Sequence, residues 1–274
     1  MRIRLIILSL FALPFFVTAQ NGISMTTGAR GAAMANTSVT FQDVFALTKN
    51  QAGIAFLQQP TVGILAEQRF LNNDIRHVGL IAALPSTVGS FGFLLQHFGF
   101  DTYNEQKIGI AYSRKLSDKF ALGAQFDYLN TRIAEYGSRG ILTFEVGIQA
   151  EIIDDLWLGA AVFNPVRTQV QDSIGVFNTT TFNFGAAYLF SKKITIAAEV
   201  EKDFQAPATV SIGLDYHLVE PISLRLGISS LTASSSFGVG IHLQKVQLDF
   251  AATYHQILGF TPTFSMQYTF DKPN

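Results

Sequence analysis

Long stretches of the chain alternate apolar and polar residues with a period of two. In KFALGAQFDYLN, Phe120, Leu122, Ala124, Phe126 and Tyr128 fall on one face and Ala121, Gly123, Gln125 and Asp127 on the other. That is the spacing of a β-strand, whose successive side chains point to opposite sides. ILTFEVGIQAEI sets Phe144, Val146, Ile148, Ala150 and Ile152 against Thr143, Glu145, Gly147, Gln149 and Glu151. VQLDFAATYH sets Val246, Leu248, Phe250, Ala252 and Tyr254 against Gln247, Asp249, Ala251, Thr253 and His255. Such segments run to about ten residues, longer than the ~5–6 usual in a sandwich and matched to the ~9–11 that cross a bilayer obliquely. Several end in aromatic residues, as a girdle at the lipid interface does.

The connections alternate too. Tight ones occur at Pro85-Ser86, Ser117-Asp118-Lys119, Asp154-Asp155, Ser191-Lys192-Lys193, Glu220-Pro221 and Gln244-Lys245. Longer, polar or glycine-containing ones lie near 71–75, 99–106, 133–140, 167–178, 203–208, 231–235 and 257–262. Short against long is the pattern of periplasmic turns against extracellular loops. The pattern predicts an all-β fold, a transmembrane antiparallel β-barrel of about 14 strands over residues 60–274, with its apolar faces toward lipid. An even count lets the sheet close, and closure leaves no backbone group unpaired in lipid. The glycine pairs Gly89 and Gly92, or Gly238 and Gly240, are candidate strand kinks for a sideways opening.

Composition sharpens this picture. Only 14% of the 274 residues are charged, well below the ~25% of soluble proteins, so much of the surface faces something other than water. Beyond the N-terminus no apolar run approaches the ~18–20 residues of a membrane helix. The 19 basic and 20 acidic residues are scattered, which leaves no basic patch and argues against nucleic acid as a partner. Cysteine is absent, so pairing and packing must hold the fold without disulfides.

The N-terminus has the form of a signal peptide over residues 1–19. Arg2 and Arg4 supply the positive region, Leu5 to Val17 the apolar one, and Val-Thr-Ala ending at Ala19 the small residues for cleavage. It predicts export, with the cell outer membrane as destination. Residues 20–59 then carry no strand pattern. Side chains just fill an eight-stranded barrel whereas sixteen to eighteen strands leave a channel. A barrel between those sizes needs filling, and Gly28, Ala29, Gly31, Ala32, Ala33 and Ala35 are small enough to pack within it. The expectation is an N-terminal hatch segment.

At these residues the chain resembles the family of outer-membrane barrels that includes the fatty-acid transporter FadL and the PorV and PorQ proteins of the type IX secretion system. Members tend to begin with a Gly-Ala-Arg-Ser-Ala-Gly-Met-Gly-like segment, then an acidic and aromatic stretch, then Asn-Pro-Ala-Gly. The corresponding residues are Gly28, Ala29, Arg30, Gly31, Ala32, Ala33 and Met34, then Asp43, then Asn50, Gln51, Ala52 and Gly53. Gln51 stands where proline is usual, and Asn36 where glycine is common. The resemblance implies a fourteen-stranded barrel with an N-terminal plug. It also implies a PorV- or PorQ-like component of a protein-export or outer-membrane complex or, alternatively, a FadL-like transporter of hydrophobic small molecules.

Chemistry-bearing residues are few. Glu199, Glu201 and Asp203 alternate along AAEVEKDF and share the lumen face, as do Glu145 and Glu151, with Arg225 and His217 on other strands. Two readings stand: a polar path for cargo, or counter-charges that fix the plug. Arg30 either anchors the hatch to lumen acids or touches a ligand. Asn50 and Gly53 are the remaining hatch-motif candidates. Phe177, among Val170, Ile174 and Val176 in the loop at 167–178, is more apolar than a solvent loop requires and is a candidate partner contact. No Gly-x-Ser-x-Gly, His-Glu-x-x-His or phosphate loop occurs, and the five histidines are dispersed. The chain therefore does not read as an enzyme, and no cofactor or metal is expected. Expected partners are outer-membrane lipid, a protein of an outer-membrane or secretion complex, and a hydrophobic ligand.

Overall fold

A computed structural model of the chain describes residues 26–166, 179–204, 206–230 and 234–271. The predicted signal peptide lies outside them, as does the 167–178 loop with Phe177. The described residues form a closed antiparallel barrel of fourteen strands. They are β1 (Thr61–Gln68), β2 (Arg76–Ser86), β3 (Gly89–Gly99), β4 (Tyr103–Ser117), β5 (Phe120–Ile133), β6 (Gly137–Ile153) and β7 (Leu156–Phe163). There follow β8 (Thr181–Ser191), β9 (Ile194–Asp203), β10 (Thr209–Val219), β11 (Ile222–Ser229), β12 (Ser234–Leu243), β13 (Val246–His255) and β14 (Gly259–Thr269). Each strand pairs with its neighbours in sequence, and β1 closes on β14 from Thr61↔Thr269 to Glu67↔Thr263.

Alternation sorts inside from outside with the senses of a soluble protein reversed. Phe126 is 74% exposed while its neighbours Gln125 and Asp127 are wholly buried. Phe250 is exposed beside buried Asp249 and Ala251. An apolar exterior around a polar interior is the arrangement of a barrel that stands in lipid.

Several links expected to be long prove to be strand. β4, β5 and β6 run to 15, 14 and 17 residues, more than a bilayer needs. Tyr103↔Ile133 and Ile133↔Gly137 keep the backbone paired to the tips of these hairpins. Above the membrane both faces meet water, so alternation fades while pairing continues. Similarly, β14 already begins at Gly259. The candidate kinks are also absent: β3 pairs without a break to β2 and β4, and β12 to β11 and β13.

Residues 26–57 fill the lumen. They comprise α1 (Gly28–Ala33) and two 310 turns, Val44–Thr48 and Gln51–Phe56. Asp43 caps the first turn by accepting from the Phe45 amide at 2.9 Å, and Asn50 caps the second by accepting from Ala52 at 3.2 Å. The chain leaves α1 through Ala35 and Asn36, both left-handed at φ 53° and 62°. Glycine adopts that conformation most readily and asparagine is the next most tolerant residue, which accounts for Asn36 at a position where glycine is common.

The wall meets this segment with glycines. A Cβ on Gly147 would lie 2.0 Å from Asn50 Oδ1, on Gly123 2.6 Å from the Ala52 nitrogen, and on Gly159 2.4 Å from the Val39 oxygen. One on Gly227 would lie 2.3 Å from the Ala35 nitrogen, on Gly238 2.6 Å from Ala33 Cβ, and on Gly92 2.5 Å from Leu47. Many face one another across strands, as Gly123↔Gly147, Gly159↔Gly185 and Gly213↔Gly227 do. Gly92 and Gly238 therefore make room for the hatch rather than bending their strands.

Candidate functional site

The hatch is held differently by two sectors of the wall. Across β5 to β14 the contacts are mainly polar, with small apolar patches where Ala29, Ala32 and Ala33 meet Ala251 and where Ala52 and Ala55 meet Ala121. Arg30 donates to Asp43 at 2.9 Å and to Asp215 of β10 at 3.2 Å, with its guanidinium 4.3 Å from the centre of the Phe41 ring. Arg225 of β11, 1% exposed, pairs with Asp215 at 3.1 Å and with Asp249 of β13. Lys49 reaches Glu199 at 2.7 Å and Glu201 at 3.3 Å, both on β9. The other oxygen of Glu199 accepts from the amides of Ser38 at 2.8 Å and Val39 at 3.0 Å. Burial acts to lower the pKa of Lys49, but Glu199 and then Glu201 outweigh it, so the net direction is upward and the ammonium is retained.

The motif residues have equally local roles. Asn50 donates to the carbonyls of Val39 at 2.7 Å and of Ile148 on β6 at 3.0 Å, tying one hatch turn to another and to the wall. Gly53 lies so close to the Phe41 carbonyl that a Cβ would come within 2.0 Å. Gln51 donates to Glu145, which also binds Lys107 of β4. A proline there would have no side-chain donor for that carboxylate. Arg30, Glu199, Glu201 and Arg225 thus come together around the hatch, Asn50 and Gly53 lie within it, and Phe177 falls outside the described residues.

Along β1 to β4 the contact is mainly apolar, although the Thr26 amide donates to His77 Nδ1 of β2 at 3.3 Å and Gln96 of β3 donates to the Thr26 carbonyl at 3.5 Å. Val44, Phe45, Leu47 and Ile54 of the hatch pack against Leu65 of β1, Ile81 and Ala83 of β2, Leu94 of β3 and Ala111 of β4, all buried in one cluster. Sequence reasoning overlooked this sector, although a signal was present. Alternation fails in Ile64-Leu65, Leu80-Ile81-Ala82-Ala83-Leu84 and Phe93-Leu94-Leu95, where both faces are apolar. Lys49, Lys107, Asp127, Asp215 and Asp249 were missed as well, because their pairing depends on register between strands.

Two cavities flank the hatch. Toward the strand ends that carry the longer links a bowl of ≈ 260 Å³ is floored by Ala32, Ala35, Asn36 and Lys49 and ringed by hydroxyls such as Ser211, Ser236 and Thr253, with Phe70 and Arg69 at its β1 side. At the mouth with the tight turns a cavity of ≈ 630 Å³ lies between Leu57, Pro60 and the ends of β2, β3 and β4, including Ser90 and Ser113. Among the described residues no group of three or more His, Cys, Asp or Glu is placed to hold a metal ion.

No family model matches the sequence, and no curated protein matches it. Solved structures do. The CymD monoaromatic hydrocarbon channel is similar with a TM-score of 0.70 at 12% identity, covering 89% of this chain and 97% of that one. The Pseudomonas putida toluene transporter TodX gives 0.67 at 13%, covering 88% and 96%. A Pseudomonas aeruginosa FadL homologue gives 0.64 at 12%, covering 89% and 98%. At these identities the likeness is one of fold, and the fold is that of FadL-type outer-membrane channels.

Proposed function

We propose that the chain is a hatch-sealed barrel of the outer membrane that passes small hydrophobic molecules, with residues 20–59 as the hatch and 60–274 as the barrel. The observation that carries this reading is the apolar sector. Leu65, Ile81, Ala83 and Leu94 form a greasy strip of wall against Val44, Phe45 and Leu47. Phe70 and Arg69 stand at the bowl near the top of this strip, and the larger cavity lies at the tight-turn ends of β2 to β4. An apolar molecule lodged there trades one apolar surface for another and gives up no hydrogen bond, whereas displacing the polar sector would strand buried charges. The channels of like fold, described as carrying monoaromatic hydrocarbons and toluene, support the same class of cargo. The protein-export reading came from the resemblance to PorV and PorQ, with the 167–178 loop and Phe177 as a further pointer to a partner, and no contact among the described residues favours it.

The test uses cells whose outer membrane is rich in lipopolysaccharide, since a plain lipid bilayer is itself permeable to such cargo. Expression of the chain should raise the initial rate of uptake of a labelled monoaromatic hydrocarbon. Leu94→Glu, which places a carboxylate in the strip, should return the rate to background while the barrel still migrates as folded on a gel. Equal uptake by variant and wild type would refute the route.

A further inference from the structure

Below the arginine network, near the tight-turn ends of β10 to β12, two histidines meet that no contact with the hatch explains. His217 of β10 and His242 of β12 approach with ring centroids 5.6 Å apart and planes tilted by 30°. Between them on β11 sits Ser223, wholly buried, directly opposite His217 in register, with its Oγ 2.9 Å from His242 Nε2. His217 Nδ1 is buried and has no hydrogen-bond partner. A buried imidazole nitrogen left alone costs free energy that some partner normally offsets.

From this geometry we propose a binding site for one late transition-metal ion, of the Zn²⁺ or Ni²⁺ kind, with His217 and His242 as its protein ligands. Imidazole is a preferred ligand for such ions. With Zn–N distances of ≈ 2.0–2.1 Å, two imidazoles on one tetrahedral ion have centroids about 5 Å apart. The observed 5.6 Å is close to that separation. The orphaned Nδ1 of His217 supplies one donor. Ser223 occupies one nitrogen of His242 and leaves the other uncommitted, the way a hydrogen bond from outside the ligand set usually orients a metal-binding imidazole. The formal charges nearby are those of Arg30 and Arg225, which are themselves paired with Asp43, Asp215 and Asp249. Water completes the coordination, and the ion would link β10 to β12 across β11. The inference stands on different residues from the transport route and does not depend on it.

Full-length protein purified without a histidine tag is titrated with Zn²⁺ and with Ni²⁺ by calorimetry. One ion should bind per barrel. His217→Asn and His242→Asn should each weaken binding by more than about tenfold, while His255→Asn, at the opposite end of the strands, should leave it unchanged. In the wild-type protein, saturating Zn²⁺ should also protect His217 and His242 from acylation by diethylpyrocarbonate, read by mass spectrometry, which needs no variant to fold. Absence of saturable binding, binding that survives both Asn variants, or equal modification with and without Zn²⁺ would overturn the proposal.

Discussion

One hatch meets two kinds of wall. From β5 to β14 it is fixed by directional contacts such as Arg30 to Asp215, Lys49 to Glu199 and Asn50 to the Ile148 carbonyl. From β1 to β4 it rests on side chains of the type of Leu65, Ile81 and Leu94. The first contact specifies position, because a small displacement breaks hydrogen bonds to buried charges. The second specifies little beyond contact area, because dispersion and apolar burial have no preferred direction. A plug built this way has most of its directional contacts along one side and most of its apolar contact along the other.

The comparison is broken most forcefully from the polar side. Arg225→Met would leave Asp249 buried with Gln247 as its remaining side-chain partner, at a cost of ~3–5 kcal/mol. A large fall in melting temperature and ion conductance in planar bilayers should follow, and a silent, fully stable variant would show that the network does not hold the hatch. On the apolar side Leu47→Ala removes a wholly buried side chain at about 2–3 kcal/mol. It should speed hydrocarbon uptake without opening an ion path; ion conductance comparable to that of Arg225→Met would erase the distinction between sectors.

Alkaline titration separates them more gently. The raised pKa of Lys49 means that its contribution is fully present below the ordinary lysine value and is lost as pH climbs from there through the raised value. Thermal stability should hold to mildly alkaline pH and fall beyond it, and Lys49→Arg should move the fall to still higher pH. A fall unmoved by that substitution would assign it elsewhere. The smallest effect is expected outside both sectors. Lys119 bridges Asp154 and Glu151 at an exposed turn, where screening leaves such pairs little to contribute, so Lys119→Ala should not change the melting temperature measurably.

The barrel was readable because period two is a local property: Phe126 declares its facing through Gln125 and Asp127 alone. The hatch was readable by default, as a stretch without alternation between the predicted signal peptide and the first strand. What stayed hidden was non-local. Nothing near Arg225 in sequence names Asp249 on β13 as its partner, and nothing around His217 names His242; register alone joins them. Gly92 and Gly238 suggested kinks because an isolated glycine in a strand has two physical uses, and only the position of Leu47 or Ala33 decides between them. Arg30 was expected either to anchor the hatch or to touch a ligand, and its contacts with Asp43 and Asp215 are those of an anchor.

The glycine-lined wall also constrains the order of events during biogenesis. Its fit to the hatch backbone is so close that a methyl group at Gly147 or Gly227 would collide. The joint that completes the cylinder is β1 to β14, whose partners Thr61 and Thr269 stand 208 residues apart, the kind of long-range pairing that forms slowly. On this fit the hatch is expected to take its place before that seam shuts.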